Sequence, residues 1–176
     1  ARLGVLPLAG YSIGQRLEFL LIPISFGIGV ASVPMVGMAV GARQISRARN
    51  VAWTAGSASA FNLGLIGLVV ALFPDLWAGL FTSDEAVLEY ARQYLRIAGL
   101  AFPFFGIGLT LYFASQGAGK MIGPVLAGTV RLVLVVGGCY WLASTSGTSE
   151  QLFGLVALSM VVYGLATLAA VKLTRW

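Results

Sequence analysis

The chain has 176 residues, 59% of them hydrophobic and only 10% charged, with a formal net charge of +5, no histidine and one cysteine. An ordinary soluble domain carries about 25% charged residues, so this composition excludes a soluble surface, and it equally excludes disorder, which needs low hydrophobicity and high net charge. Without histidine there is no Ser-His-Asp triad and no imidazole metal ligand, and Cys139 alone makes neither an intrachain disulfide nor a thiolate zinc site, which leaves an integral membrane protein.

A transmembrane helix needs about 20 mostly apolar residues. The first qualifying stretch lies within 8–40 and is longer than one crossing requires. It carries Glu18, the only acid inside an apolar stretch, and two possible bends at Pro23 and Pro34. An ionisable residue in a span is a functional candidate. Glu18 can take up a proton or help to hold a cation; the alternative is a local pair with Arg16 or a place in interfacial water. The join GARQISRARN follows, with Arg43, Arg47 and Arg49.

The second stretch is about 51–73. Its Asn62, near Ser57 and Ser59, either lines a cavity or bonds to a neighbouring helix. An acidic join holds Asp75, Asp84, Glu85 and Glu89. The third stretch, about 94–115, contains Pro103 inside FPFFGIG, and proline kinks a helix by removing a backbone donor. Phe104, Phe105 and Tyr112 offer an aromatic cavity wall suited to cation–π contact, with Gln116 as a polar neighbour; the alternative is packing against lipid or other helices.

Lys120 lies in the next join, and the fourth stretch is about 122–143. Arg131 comes 11 residues after Lys120, about 16 Å along a helix, near the middle of a hydrocarbon core about 30 Å thick. It must face the bundle interior or a wet cavity and find a partner there. The functional reading is a lobe-internal ion pair or cavity polarity that changes with functional state; the alternative is a structural pair with carbonyls or with an acid on a helix upstream of this sequence. A cation so placed argues against direct contact with a cationic ligand. Glu150 precedes the fifth stretch, about 152–171, and Lys172 and Arg175 follow it.

The sequence therefore predicts an all-α polytopic bundle of five spans; the alternating ten-residue segments of a membrane barrel are absent. Charge predicts its orientation. The first and third joins and the tail hold six basic residues and no acid, whereas the two remaining joins hold the acids. The positive-inside rule puts the basic set, and the C-terminus, in the cytoplasm. Trp53, Trp77, Trp141 and Trp176 all fall near span ends, as interfacial rings do. Arg2 and Arg16 then lie at the outer end of the first span, with no initiator Met and no signal pattern. The chain is accordingly expected to be a fragment with further spans upstream. No basic face with interleaved aromatics exists outside the membrane, so nucleic acid is not an expected partner.

Three segments carry a resemblance. LAGYSIGQRLEFLLIPISFGIGVASVPMVGMAVGARQISRAR is similar to the eighth helix and following loop of the MATE (multidrug and toxic compound extrusion) transporters. LFTSDEAVLEYARQYLRI is similar to that family's stretch before its tenth helix, and FPFFGIGLTLYFASQGAGKMIGPVLAGTVRL to its tenth and eleventh helices with their Gly-Ala-Gly-Lys turn. The resemblance implies helices 8–12 of a twelve-helix protein of two lobes around a central cavity. This chain, 1–176, would be most of the C-terminal lobe.

It further implies an inner-membrane antiporter that exports small organic, often cationic, compounds against Na⁺ or H⁺ entry. Such a protein needs no cofactor beyond the transported ion, and its partners are membrane lipid and its own N-terminal lobe. One departure stands out: some branches of the family carry an acid near Phe104 or Phe105, and here none lies between Glu89 and Glu150. The alternatives are a flippase-like exporter of a lipid-linked saccharide, or a structural membrane subunit. An enzyme needs a converging acid–base or nucleophile–base set, and these residues supply none.

Overall fold

The computed structural model describes residues 4–145 and 147–174; Arg2, Arg175 and Trp176 of the charge and tryptophan arguments lie outside them. Within the described residues the chain forms α1 (Val5–Gly41), α2 (Ile45–Leu72), α3 (Asp75–Ala78), α4 (Glu85–Gly99), α5 (Phe102–Gly117), α6 (Ile122–Ser144) and α7 (Ser149–Leu173), with no strand. In lipid every backbone polar group must be satisfied within the segment, so long apolar runs become helices. Four helices, α1, α2, α6 and α7, are each long and apolar enough to cross a membrane, and α4 with α5 makes a fifth, broken span.

That broken span is where the structure departs from the simple kink expected at Pro103. The helices bend by 52° at 99–102, and α4 begins at Glu85, well before the apolar run. Pro103 sits in the first turn of α5, where a missing N–H costs nothing because that turn has no intrahelical acceptor. Proline therefore starts the second helix rather than bending one continuous helix. Pro23 and Pro34 both lie inside α1, which runs as one helix through them.

Polar residues set the ends. The Asp84 carboxylate accepts from the Ala86 N–H at 3.0 Å and opens α4. A reciprocal Thr148–Gln151 capping box opens α7. Gly119, at φ 67, provides the left-handed turn between α5 and α6. One end of the bundle gathers Arg43, Arg47, Arg49, Lys120 and Lys172, and there Arg49 Nη2 donates to the Thr174 carbonyl at 3.0 Å. The opposite end holds the acids. There Arg92 draws together Asp75 at 2.6 Å, Glu85, and Glu89 at 3.7 Å, which fastens α3 to α4. Gln93 Nε2 reaches Glu150 at 2.6 Å and links α4 to the start of α7.

The central helix is α5, packed on α1, α2 and α7; α6 leans on α7 and scarcely touches α5. Large side chains such as Leu132, Val133, Val136 and Tyr140 stay exposed on α6, as they do on a helix that faces lipid. Two apolar clusters fill the interior. One, around Leu21, Leu63, Tyr94, Phe102 and Phe153, lies toward the acidic end, and the other, around Val36, Ala48 and Leu111, toward the basic end. Between them runs a seam of hydroxyls. Ser25 and Ser59 share a hydrogen bond of 2.8 Å, and Ser59 Oγ donates to the Gly106 carbonyl at 3.2 Å, joining α1, α2 and α5.

One turn along α5, the Thr110 hydroxyl is fully buried and has no hydrogen-bond partner among the described residues. A buried unpaired polar group costs about 1–3 kcal/mol. Thr110→Val removes the hydroxyl and keeps the shape, so thermal unfolding in detergent should show a variant more stable by about 1 kcal/mol; a loss of stability would mean that the hydroxyl is satisfied in the membrane.

Candidate functional site

Two side-chain centres with chemistry lie inside the bundle. The first is built on Gly14 and Glu18, one turn apart on α1. The ring of Tyr94, from α4, occupies the space that a Cβ at Gly14 would take. This close approach lets the Tyr94 hydroxyl reach along α1 and donate a hydrogen bond to Glu18 Oε1. Tyr94 is fully buried and Glu18 half-buried. Around them stand Tyr11, edge-on to Tyr94 at 5.1 Å, and Phe153 of α7, edge-on to Tyr94 at 5.2 Å. The carboxylate thus has one fixed donor and an aromatic surround drawn from three helices.

Arg16 is not its partner, contrary to the local pair considered above. The Arg16 guanidinium instead lies over the Phe81 ring at 5.0 Å. The indole of Trp77 in α3 closes the same end of the bundle, donating from Nε1 to the Ile13 carbonyl at 2.9 Å.

The second centre is Arg131 on α6, half-buried. Its guanidinium lies 5.1 Å from the ring centre of Phe105 and 5.6 Å from that of Tyr163. The two rings are 6.3 Å apart, from α5 and α7. Gly108 makes this possible: a Cβ there would come within 2.8 Å of the Tyr163 ring, which needs that space to lie against α5. Among the described residues no carboxylate is within 4 Å of Arg131, and the contacts its guanidinium makes there are with these two ring faces. Beside Tyr163 a crevice of about 290 Å³ opens between α5, α6 and α7, lined also by Tyr112, Thr129 and Leu132.

The remaining sequence candidates lie elsewhere. Asn62 is exposed and donates from Nδ2 to the Ala58 carbonyl of its own helix at 2.8 Å, not to a neighbouring helix. Gln116 is exposed near the basic end of α5. Phe104 is half-buried, with its carbonyl close against Gly164 of α7. Tyr112 packs edge-on against Phe113 at 5.8 Å and faces the crevice. Of the aromatic wall expected on this helix, Phe105 alone touches Arg131.

Tyr94, Tyr11, Phe153 and Tyr163 escaped the sequence reading. The one signal for them was an aromatic residue within or beside an apolar stretch, which by itself means only packing. Among the described residues no three acids or cysteines gather as a metal site.

The MatE family model matches residues 1–141. A probable multidrug resistance protein NorM of Thermotoga maritima is 30% identical over 67% of this chain and 25% of its own length. An uncharacterized transporter of Schizosaccharomyces pombe is 32% identical over 92% of this chain and 27% of its own. The chain thus spans about a quarter of the length of these relatives. The fold matches the crystal structure of the Vibrio cholerae MATE transporter VcmN in the bent form, with TM-score 0.84 and 24% identity over 96% of this chain and 39% of that one.

Proposed function

The chain belongs to the MatE family, and from that premise we propose that it forms most of the C-terminal lobe of a secondary transporter that exports small organic compounds in exchange for Na⁺ or H⁺. The observation that carries this reading is Glu18: the one acid in the interior of the long apolar helices, held by the Tyr94 hydroxyl among aromatic rings. A carboxylate there has an oxygen free to take up a proton or a small cation. Among the described residues its hydrogen-bond donor comes from α4, the first half of the broken span. Discontinuous helices near the membrane interior are where transporters change contacts between states.

In this reading the basic end faces the cytoplasm of the inner membrane, following the positive-inside rule, and the N-terminal lobe closes the cavity. Half a cavity leaves polar faces toward lipid, a cost that a second lobe removes.

The test uses the full-length protein in proteoliposomes loaded with a fluorescent organic dye. Dye should move only when a Na⁺ or H⁺ gradient is imposed, and the gradient that drives it identifies the coupling ion. Failure of either gradient to move dye, from protein shown to be folded, overturns the reading.

A further inference from the structure

Arg131 has an unusual setting for a charge at mid-helix. It has no carboxylate within 4 Å among the described residues, and two ring faces take up its guanidinium. The face of an aromatic ring attracts any cation, whether a side chain or a ligand. Two rings 6.3 Å apart and presented from different helices are the start of a cage for an organic cation. Here the chain's own guanidinium takes that place, and Tyr163, one of its two rings, also lines the crevice shared with Tyr112.

We propose that Arg131 is a tethered cation that occupies the Phe105–Tyr163 clasp and so bars free organic cations from this wall of the lobe, selecting neutral or anionic groups there. Two effects act together. A tethered group competes at a high effective concentration that a dissolved ligand does not match. Its charge also repels a second cation, and weakly screened surroundings strengthen that repulsion. An anionic or neutral group entering the crevice meets neither barrier, and an anion gains a counter-charge. The proposal rests on the export reading for its consequence, substrate selection, but binding alone can be measured without transport.

The probe is tetraphenylphosphonium, a lipophilic cation, titrated into the full-length protein in lipid nanodiscs. Arg131→Gln should bind it about tenfold more tightly than the unsubstituted protein, a gain of the size that cation–π contacts provide. Arg131→Lys keeps the charge and should show little gain. Adding Phe105→Leu to Arg131→Gln should remove most of the gain. Unchanged affinity in a folded Arg131→Gln protein overturns the proposal. Should that variant not fold, Phe105→Leu alone decides: with Arg131 in place the ring is already occupied, so affinity should not change, and weakened binding refutes the idea. A protein that binds as expected but moves no compound under any gradient refutes the export reading and leaves this one standing.

Discussion

Glu18→Gln in the full-length protein is expected to cut ion-driven export severely while leaving the fold intact. Glutamine keeps the size of the side chain and a carbonyl oxygen that can still accept from the Tyr94 hydroxyl. Thermal stability should therefore change by less than about 1 kcal/mol. What glutamine cannot do is bind and release a proton or neutralise a small cation. No second acid lies in the interior of α1, α2, α6 or α7 to take over.

Gradient-driven export should fall by roughly tenfold or more, since an ionisable group inside a membrane is costly and is retained for its chemistry. Tyr94→Phe makes the companion test. It keeps the ring that fills the space at Gly14 and removes only the donor. Its export should lie between the two extremes, with a changed dependence on the coupling ion. Normal export by Glu18→Gln would remove Glu18 from the mechanism and turn attention to the other lobe.

The second large effect concerns the broken span. Where α4 passes into α5, Gly99 lies against Gly67 of α2 so closely that a Cβ at Gly67 would overlap the Gly99 carbonyl oxygen. A Cβ at Gly99 would likewise come within 2.6 Å of the Gly67 carbonyl oxygen. Backbone is on both sides, so no side chain can swing away to relieve the clash. Small residues at such crossings let membrane helices approach closely.

Gly67→Val should cost about 3 kcal/mol, which lowers the melting temperature of the full-length protein by several degrees. Export should also fall, because α5 carries Phe105 and would be pushed off its seat. Gly137→Ala on α6 is the control. A Cβ there meets nothing within 4 Å, so replacing glycine inside a helix should stabilise it by up to about 1 kcal/mol. Equal melting temperatures for Gly67→Val and the unsubstituted protein would show that the α2–α4 crossing is looser than described.

The difference between these two glycines shows what sequence can and cannot say. In the sequence Gly67 and Gly137 look alike, each set among aliphatic residues of a long helix. Only the neighbour supplied by another helix makes one of them indispensable. The same holds for charge. Glu18 and Arg131 stood out because an ionisable side chain in an apolar run is costly wherever it points. Their partners did not stand out, because tyrosine and phenylalanine are ordinary residues of such runs. Arg16 and Glu18 are close in sequence, but the helix turns them apart, and Arg16 lies over Phe81 instead.

What the sequence by itself determined is the class of molecule: a polytopic helical bundle, with charges sorted to its two ends and two ionisable residues inside. These follow from local quantities, the length of an apolar run and the sign of the charge in each join, which act on the chain whatever else it touches. The tertiary structure decided the rest. It broke the third span at 99–102 instead of kinking it at Pro103. It brought Tyr94 to Glu18 across 76 positions of chain, and it set Arg131 against rings from two other helices. Those contacts depend on close packing, where a missing Cβ at Gly14 or Gly108 lets a ring in. Such complementarity belongs to pairs of surfaces, and no single stretch of sequence contains it.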